Sequence, residues 1–249
     1  PPPFQAEDGI RDKQICLVGS EMCIRDRDKL ESAIAAVAGL GSVRVHGSGR
    51  TDTGVHALGQ VAHFDAPSEN RMGGGAWLRA LNTKLPAAVR VLDAQEVAAD
   101  FHARFSATGK TYRYEIDTGE VLHPLRVGRA WHHPRELDLG RLGAVCNRYL
   151  GEHDFSPFAA NRRDGKEPDT VRTISSADVR WDAPTLSITF SGNGFLYKMV
   201  RLLVGAAVRV AEGRATLDWI DSLLQKPAAE KCQYCAPGSG LYLVAVDYP

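Results

Sequence analysis

Gly47-Ser48-Gly49-Arg50-Thr51-Asp52-Thr53-Gly54-Val55-His56-Ala57 places three glycines, an arginine, an aspartate and three hydroxyl side chains within eleven residues. Glycine permits φ > 0 and close backbone approach. A carboxylate on such a loop can act on a substrate as nucleophile or base. A neighbouring guanidinium can grip a phosphate with two parallel bonds. The competing reading is a plain turn in which Asp52 bonds nearby backbone N–H groups. The Gly-Lys-Ser/Thr ending of a phosphate-binding P-loop is absent, and the glycine spacing does not fit a dinucleotide fingerprint.

Outward from this loop the chain alternates short strands and amphipathic helices. Leu30, Ile34, Val37 and Ala38 fall at helical spacing, predicting a helix over Lys29 to Ala38 ended by Gly39. Val43 to Val45 and Val61 to Phe64 read as strands, and Trp77, Leu78 and Leu81 mark a helix stopped near Pro86. A strand starts at Val89 and another is centred on Thr111 to Ile116. In the second half, Leu139 to Leu150 is a helix, and Val171 to Trp181 with Leu186 to Phe190 are paired strands. Phe195 to Ala211 is a long apolar helix, Leu217 to Leu224 a short one, and Leu241 to Val246 a closing strand. The similar order of elements suggests two related α+β halves, 28–104 and 105–249.

Three further features could carry chemistry. Tyr112 and Tyr114 share one face of their strand, where an aromatic could stack on a base or simply fill a core. Arg201 sits in an apolar helix, where a cation is costly unless paired or snorkelling. The loop Asn161 to Lys166 carries Arg162, Arg163 and Lys166, a solvated face or a track for phosphates. His56 and His63 match no standard metal spacing, and Cys232-x-x-Cys235 is half a zinc ribbon without a second pair.

Composition sets the frame. A 44% hydrophobic and 24% charged content over 249 residues fits a folded globular chain rather than a disordered one. Lys+Arg 30 against Asp+Glu 30 gives no bulk attraction to nucleic acid, so any basic surface must be local. Five unevenly spaced Cys, no signal-peptide pattern and no apolar run near the roughly 20 residues of a span predict a reduced, cytoplasmic protein. The first residues stand apart. They open Pro1-Pro2-Pro3, and Gly9-Ile10-Arg11-Asp12 nearly returns as Cys23-Ile24-Arg25-Asp26. The stretches Gln5 to Asp12 and Cys16 to Arg27 look like translated sequencing-adapter DNA, so residues 1–27 are expected to be a non-native segment that packs poorly.

Gly49 to Phe64, Asp100 to Thr108 with Tyr112-Arg113-Tyr114, Leu150 to Phe155, Asn193 to Arg201 and Gly240 to Tyr248 resemble, in order, the motifs of the TruA-type tRNA pseudouridine synthases. The resemblance covers the chain from Asp28 to Pro249. The family's opening strand, with Tyr-Asp-Gly and Gly-Trp-Gln elements, has no counterpart before Asp28. The resemblance implies an α+β fold of two related halves, mostly antiparallel sheet with packed helices, meeting in a cleft. It implies an isomerase, an intramolecular transferase, converting uridine to pseudouridine at tRNA positions 38–40 in the anticodon stem-loop. The family works as a homodimer without cofactor or metal. Asp52 matches the catalytic aspartate and Arg201 its basic partner. Tyr112 matches the residue stacked on the target base, while Arg50 and Phe195 are the other substrate-binding candidates. A catalytically silent RNA-binding protein on the same scaffold is the alternative, and retention of Asp52, Tyr112 and Arg201 weighs against it. A metal-dependent hydrolase built on His56 and His63 lacks a carboxylate-histidine ligand set.

Overall fold

The computed structural model describes residues 12–20, 24–49, 52–66, 70–160, 169–227 and 230–249, with backbone alone for 12–20 and 24–26. The loop Asn161 to Lys166 therefore lies outside the described residues. Two compact units divide the chain: the described residues up to Thr108 together with Leu243–Pro249, and Gly109–Tyr242.

The first unit contains β1 (Asp12–Ser20), α1 (Ile24–Ala38), β2 (His46–Gly47), β3 (His56–Asp65), α2 (Gly74–Lys84) and β4 (Val89–Glu96). Its strands lie in the order β4-β1-β3, followed by the end of β10 (Leu241–Asp247), with β2 paired to β3. Leu30 and Ile34 of α1, Trp77 and Leu81 of α2, and Ala62 and Phe64 of β3 share one buried cluster. Phe64 meets Trp77 edge to face at 5.1 Å between ring centroids. The C-terminal residues complete the unit. Thr108 N–H donates to Asp247 O at 2.9 Å, and the Tyr248 hydroxyl donates to Ala103 O at 2.6 Å.

The expectation that residues 1–27 pack poorly is corrected only for the backbone of Asp12–Ser20 and the start of α1, while 1–11 and 21–23 lie outside the described residues. Asp12–Ser20 is an interior strand, antiparallel to β3 on one side and β4 on the other, and Ile24 to Arg27 begin α1. Without a strand between them, β3 and β4 would each present a row of unpaired backbone groups. Lys13 to Gly19 contains no proline and carries β-branched Ile15 and Val18, so its backbone suits the slot whatever its origin. The strand expected at Val43 to Val45 also moves: Val45 is buried in the cluster, and ladder pairing starts at His46.

The second unit contains β5 (Gly109–Asp117), β6 (Trp131–His132), α3 (Leu139–Arg148), β7 (Gly151–Asp154), β8 (Val171–Asp182), β9 (Thr185–Gly192), α4 (Met199–Ala211) and α5 (Leu217–Gln225). The strand order β5-β9-β8-β7 is antiparallel throughout, and β6 runs parallel to β5. Asp138 and Thr216 cap α3 and α5, each accepting a backbone N–H from three residues on. The helix expected from Phe195 starts four residues later. Lys198 sits at φ 61, in the left-handed region, and sets the turn from which α4 departs.

α4 is apolar nearly all round, and eleven of its thirteen residues are buried. Such a helix must be covered on every side. Part of the cover is the irregular strap 230–237, which crosses it so closely that only glycine fits at 205. A Cβ on Gly205 would lie 1.9 Å from Tyr234 O. Gly205→Ala is therefore expected to cost about 1–3 kcal/mol through a displaced strap. Urea unfolding should show it as a lower midpoint with an unchanged slope, and an unaltered midpoint would mean the strap yields freely.

Candidate functional site

In the first unit, the glycine-rich loop is pinned at both ends. Before it, Ser48 and Gln60 are fully buried, and the Ser48 hydroxyl donates to Gln60 Oε1. The same oxygen accepts from Val61 N–H at 3.2 Å, while Gln60 Nε2 donates to Gly49 O at 3.2 Å. Ser48 N–H donates to Val61 O at 2.8 Å. The amide of Gln60 thus ties the start of the loop to the strand that follows it. After it, Asp52 O accepts Val55 N–H at 3.1 Å, and Gly54 has φ +81. Positive φ at the third residue of a turn is what a type II turn demands and glycine supplies. Val55 and Ala57 then bury and anchor the exit. Asp52 stands half-buried on this turn. Arg50 lies outside the described residues.

Beside the loop is a group the sequence reading did not assemble. The rings of His46, His63 and His102 lie 4.7 to 5.4 Å apart, with His46 stacked on His63. His63 Nδ1 accepts Ala103 N–H at 3.0 Å, and His102 Nδ1 accepts Arg104 N–H at 3.1 Å. In neutral His63 the proton therefore sits on Nε2. Burial first, then His102 and His46, push His63 down from 6.5 to about 4. Burial and Arg44 also lower His46. Among the described residues no three His, Cys, Asp or Glu side chains form a metal-ligand group.

The second unit carries the other candidates. Tyr112, on β5 opposite Phe190 of β9, is half-buried, and its ring meets Phe195 edge to face at 5.1 Å. Two of the proposed base-contacting residues are thus neighbours. Tyr114, on the same strand face, is fully buried and donates to Pro237 O at 2.7 Å, and burial pushes its phenol up. The core reading holds for Tyr114, whereas Tyr112 is only partly buried.

Arg201 is half-buried on α4 and bound to the strap by two bonds. Its Nε donates to Ala236 O at 2.7 Å, and its own carbonyl accepts Ala236 N–H at 3.0 Å. Its charge also acts on the Tyr114 phenol, lowering it against the larger effect of burial. The strap fixes the guanidinium's orientation before any substrate arrives. The signals for Gln60 and Ala236 were available but weak. One is a polar residue between apolar strand neighbours, and the other is a backbone partner 35 residues away.

Residues 11–106 and 145–249 match the family model described as tRNA pseudouridine synthase. The chain is 46% identical over 230 residues to the tRNA pseudouridine synthase A of Akkermansia muciniphila, covering 90% of this chain and 86% of that protein. It is 41% identical to the enzyme of the same name from Latilactobacillus sakei, over 88% of this chain and 87% of that one. Against the Neisseria gonorrhoeae enzyme of that name it is 42% identical, over 88% and 81%.

The histidine cluster generates a pH dependence with a definite sign. Between about 4 and 6.5, unfolded His63 binds a proton that folded His63 refuses. Stability is therefore full above 6.5 and falls as pH drops towards 4. His63→Gln should flatten this slope. Urea midpoints at about pH 7 and about pH 5 measure it, and an unchanged slope in the variant would place the acid sensitivity elsewhere.

Proposed function

We propose, for a chain that belongs to the tRNA pseudouridine synthase family, that it isomerises uridine to pseudouridine in the anticodon stem-loop of tRNA, with Asp52 as the reacting carboxylate. The observation that carries this reading is the Asp52 turn. A carboxylate is held on a glycine-shaped turn between two buried anchors, inside the matched sequence. The reaction breaks the N1–C1′ bond, turns the uracil and joins C5 to C1′. The C5 proton leaves and N1 gains one, so nothing is oxidised or hydrolysed and no redox cofactor is called for. Asp52 serves either by adding to the substrate or by removing the C2′ proton.

The remaining roles follow from chemistry. Taking a nucleotide out of its stack costs a few kcal/mol. Tyr112, braced by Phe195, offers a ring for the freed base, which offsets part of that cost. Arg201 is the cation for the carboxylate, and Arg50 contacts the RNA backbone near the extruded nucleotide. A cytoplasmic homodimer is the expected working form.

Asp52→Asn should lower turnover by roughly ten-thousandfold while tRNA binding stays within about twofold, because the amide keeps size but cannot act as an anion. Tyr112→Ala should weaken productive binding by about 1–3 kcal/mol, and Tyr112→Phe should retain most of it. Pseudouridine is read by carbodiimide labelling or by tritium release from C5, and binding by titration at several salt concentrations. Wild-type turnover by Asp52→Asn would remove the carboxylate from the reaction.

A further inference from the structure

Phe105 stands 76% exposed, well above Trp181 at 45%, the next most exposed aromatic among the described residues. A single apolar side chain in water is ordinary on any protein surface. The frame that holds this one is not. Phe101 N–H donates to Ala98 O at 3.0 Å, and Ser106 N–H donates to His102 O at 2.9 Å. The Ser106 hydroxyl in turn accepts His102 N–H at 2.9 Å. His102 Nδ1 accepts the N–H groups of both Arg104 and Phe105, at 3.1 and 3.3 Å. The turn is also tied down from outside: Ala103 N–H donates to His63 Nδ1, and Ala103 O accepts the Tyr248 hydroxyl.

Two groups of the same turn flank the ring. His102 lies 4.4 Å away between ring centroids, tilted by 39°, and the Arg104 guanidinium stands over the Phe105 ring at 5.5 Å. Arg104 is itself exposed. An aromatic and a cation presented together on a fixed backbone suit an unpaired nucleotide, whose base stacks on the ring while its phosphate meets the guanidinium. The fixed backbone reduces the ordering that binding must impose. An exposed guanidinium beside the ring favours a polyanion over the apolar face of a second copy. The turn also stands on the strand pair that leads to Asp52. His63, which holds Ala103, faces His46 across the pairing of β2 with β3, and the glycine-rich loop begins at the next residue, Gly47.

We propose that Phe105, with Arg104 beside it, is a stacking platform for an unpaired nucleotide of the tRNA substrate, distinct from the uridine that reacts. The proposal rests on tRNA being the substrate, as proposed above, and not on Asp52 carrying the reaction. The reacting base has its own ring in Tyr112, braced by Phe195. Phe105 belongs instead to the unit that carries the carboxylate. Two rings hold the RNA at two nucleotides, and the second limits which uridine can be brought to the first. Such a contact acts on binding and register rather than on the bonds that break, so it belongs in KM rather than kcat.

The test titrates unmodified tRNA directly onto the full-length chain and its variants, and measures KM and kcat by tritium release from C5. Phe105→Ala should weaken binding and raise KM about tenfold, with kcat within about twofold. Phe105→Leu should lose as much and Phe105→Trp should bind like the parent, because stacking needs a π face and not merely apolar bulk. Arg104→Gln should reduce the steepness of log affinity against log salt by about 1. Urea midpoints of these variants should match the parent, since both side chains are exposed. If Phe105→Ala alone unfolds, the contrast between the Leu and Trp replacements still decides. Unchanged binding by Phe105→Ala overturns the platform. Full binding by Phe105→Leu overturns it too, and a dimer that Phe105→Ala dissociates in sedimentation assigns the ring to a second copy instead. A parent chain that binds tRNA but never converts uridine counts against the activity and not the platform, since the titration does not depend on turnover.

Discussion

A helix with no polar face has to be enclosed, and much of the second unit follows from that demand on α4. α3 packs along it, and the Tyr149 hydroxyl of that packing donates to Leu203 O at 3.2 Å. The strap closes the remaining side, and the absence of a side chain at Gly205 lets backbone meet backbone there. Two residues of the helix, Arg201 and Arg209, cannot be satisfied by apolar cover, and Arg209 lies over the Tyr234 ring. Arg201 takes its nearest carbonyl, Ala236 O, and so the need to hide a helix also fixes the direction of a cation.

The same economy governs the first unit on a smaller scale. Gln60 is buried in a strand whose next residues, Val61 and Ala62, are also buried. An unpaired amide there would be costly, so it bonds Ser48, Gly49 and Val61. Those bonds stiffen the approach to Asp52. In the first unit a buried amide locks the backbone leading to Asp52, and in the second the half-buried Arg201 is itself tied to the strap.

Much of this was legible in the residues. The stripes over 139–150 and 217–224 gave α3 and α5, and alternation gave β5, β8 and β9, because each has one apolar face and a period that reports it. Asp52 on its loop and Arg201 in an apolar helix stood out as unusual side chains, whereas Tyr112 and Phe195 became candidates through the family resemblance. What could not be read was set by distant backbone. β1 has no sequence pattern of its own and is a strand because β3 and β4 need a neighbour. The start of α4 is shifted by the conformation of one residue, Lys198. The histidine cluster draws on three separate segments, and no spacing rule joins His46, His63 and His102.

The return of the last residues to the first unit has a consequence for synthesis. Val244 backs onto Gly59, and Asp247 and Tyr248 bond Thr108 and Ala103. These contacts join residues made after Gly109–Tyr242 to segments finished long before them. At about 5–20 residues per second, translating Gly109–Tyr242 alone takes on the order of ten seconds. During that interval β3 waits with one edge covered only by the two residues of β2, while the second unit already has its own strands and helices to pack. The first unit thus cannot be completed until the second has been made, and its open strand edge is a part of the nascent chain exposed to wrong pairing.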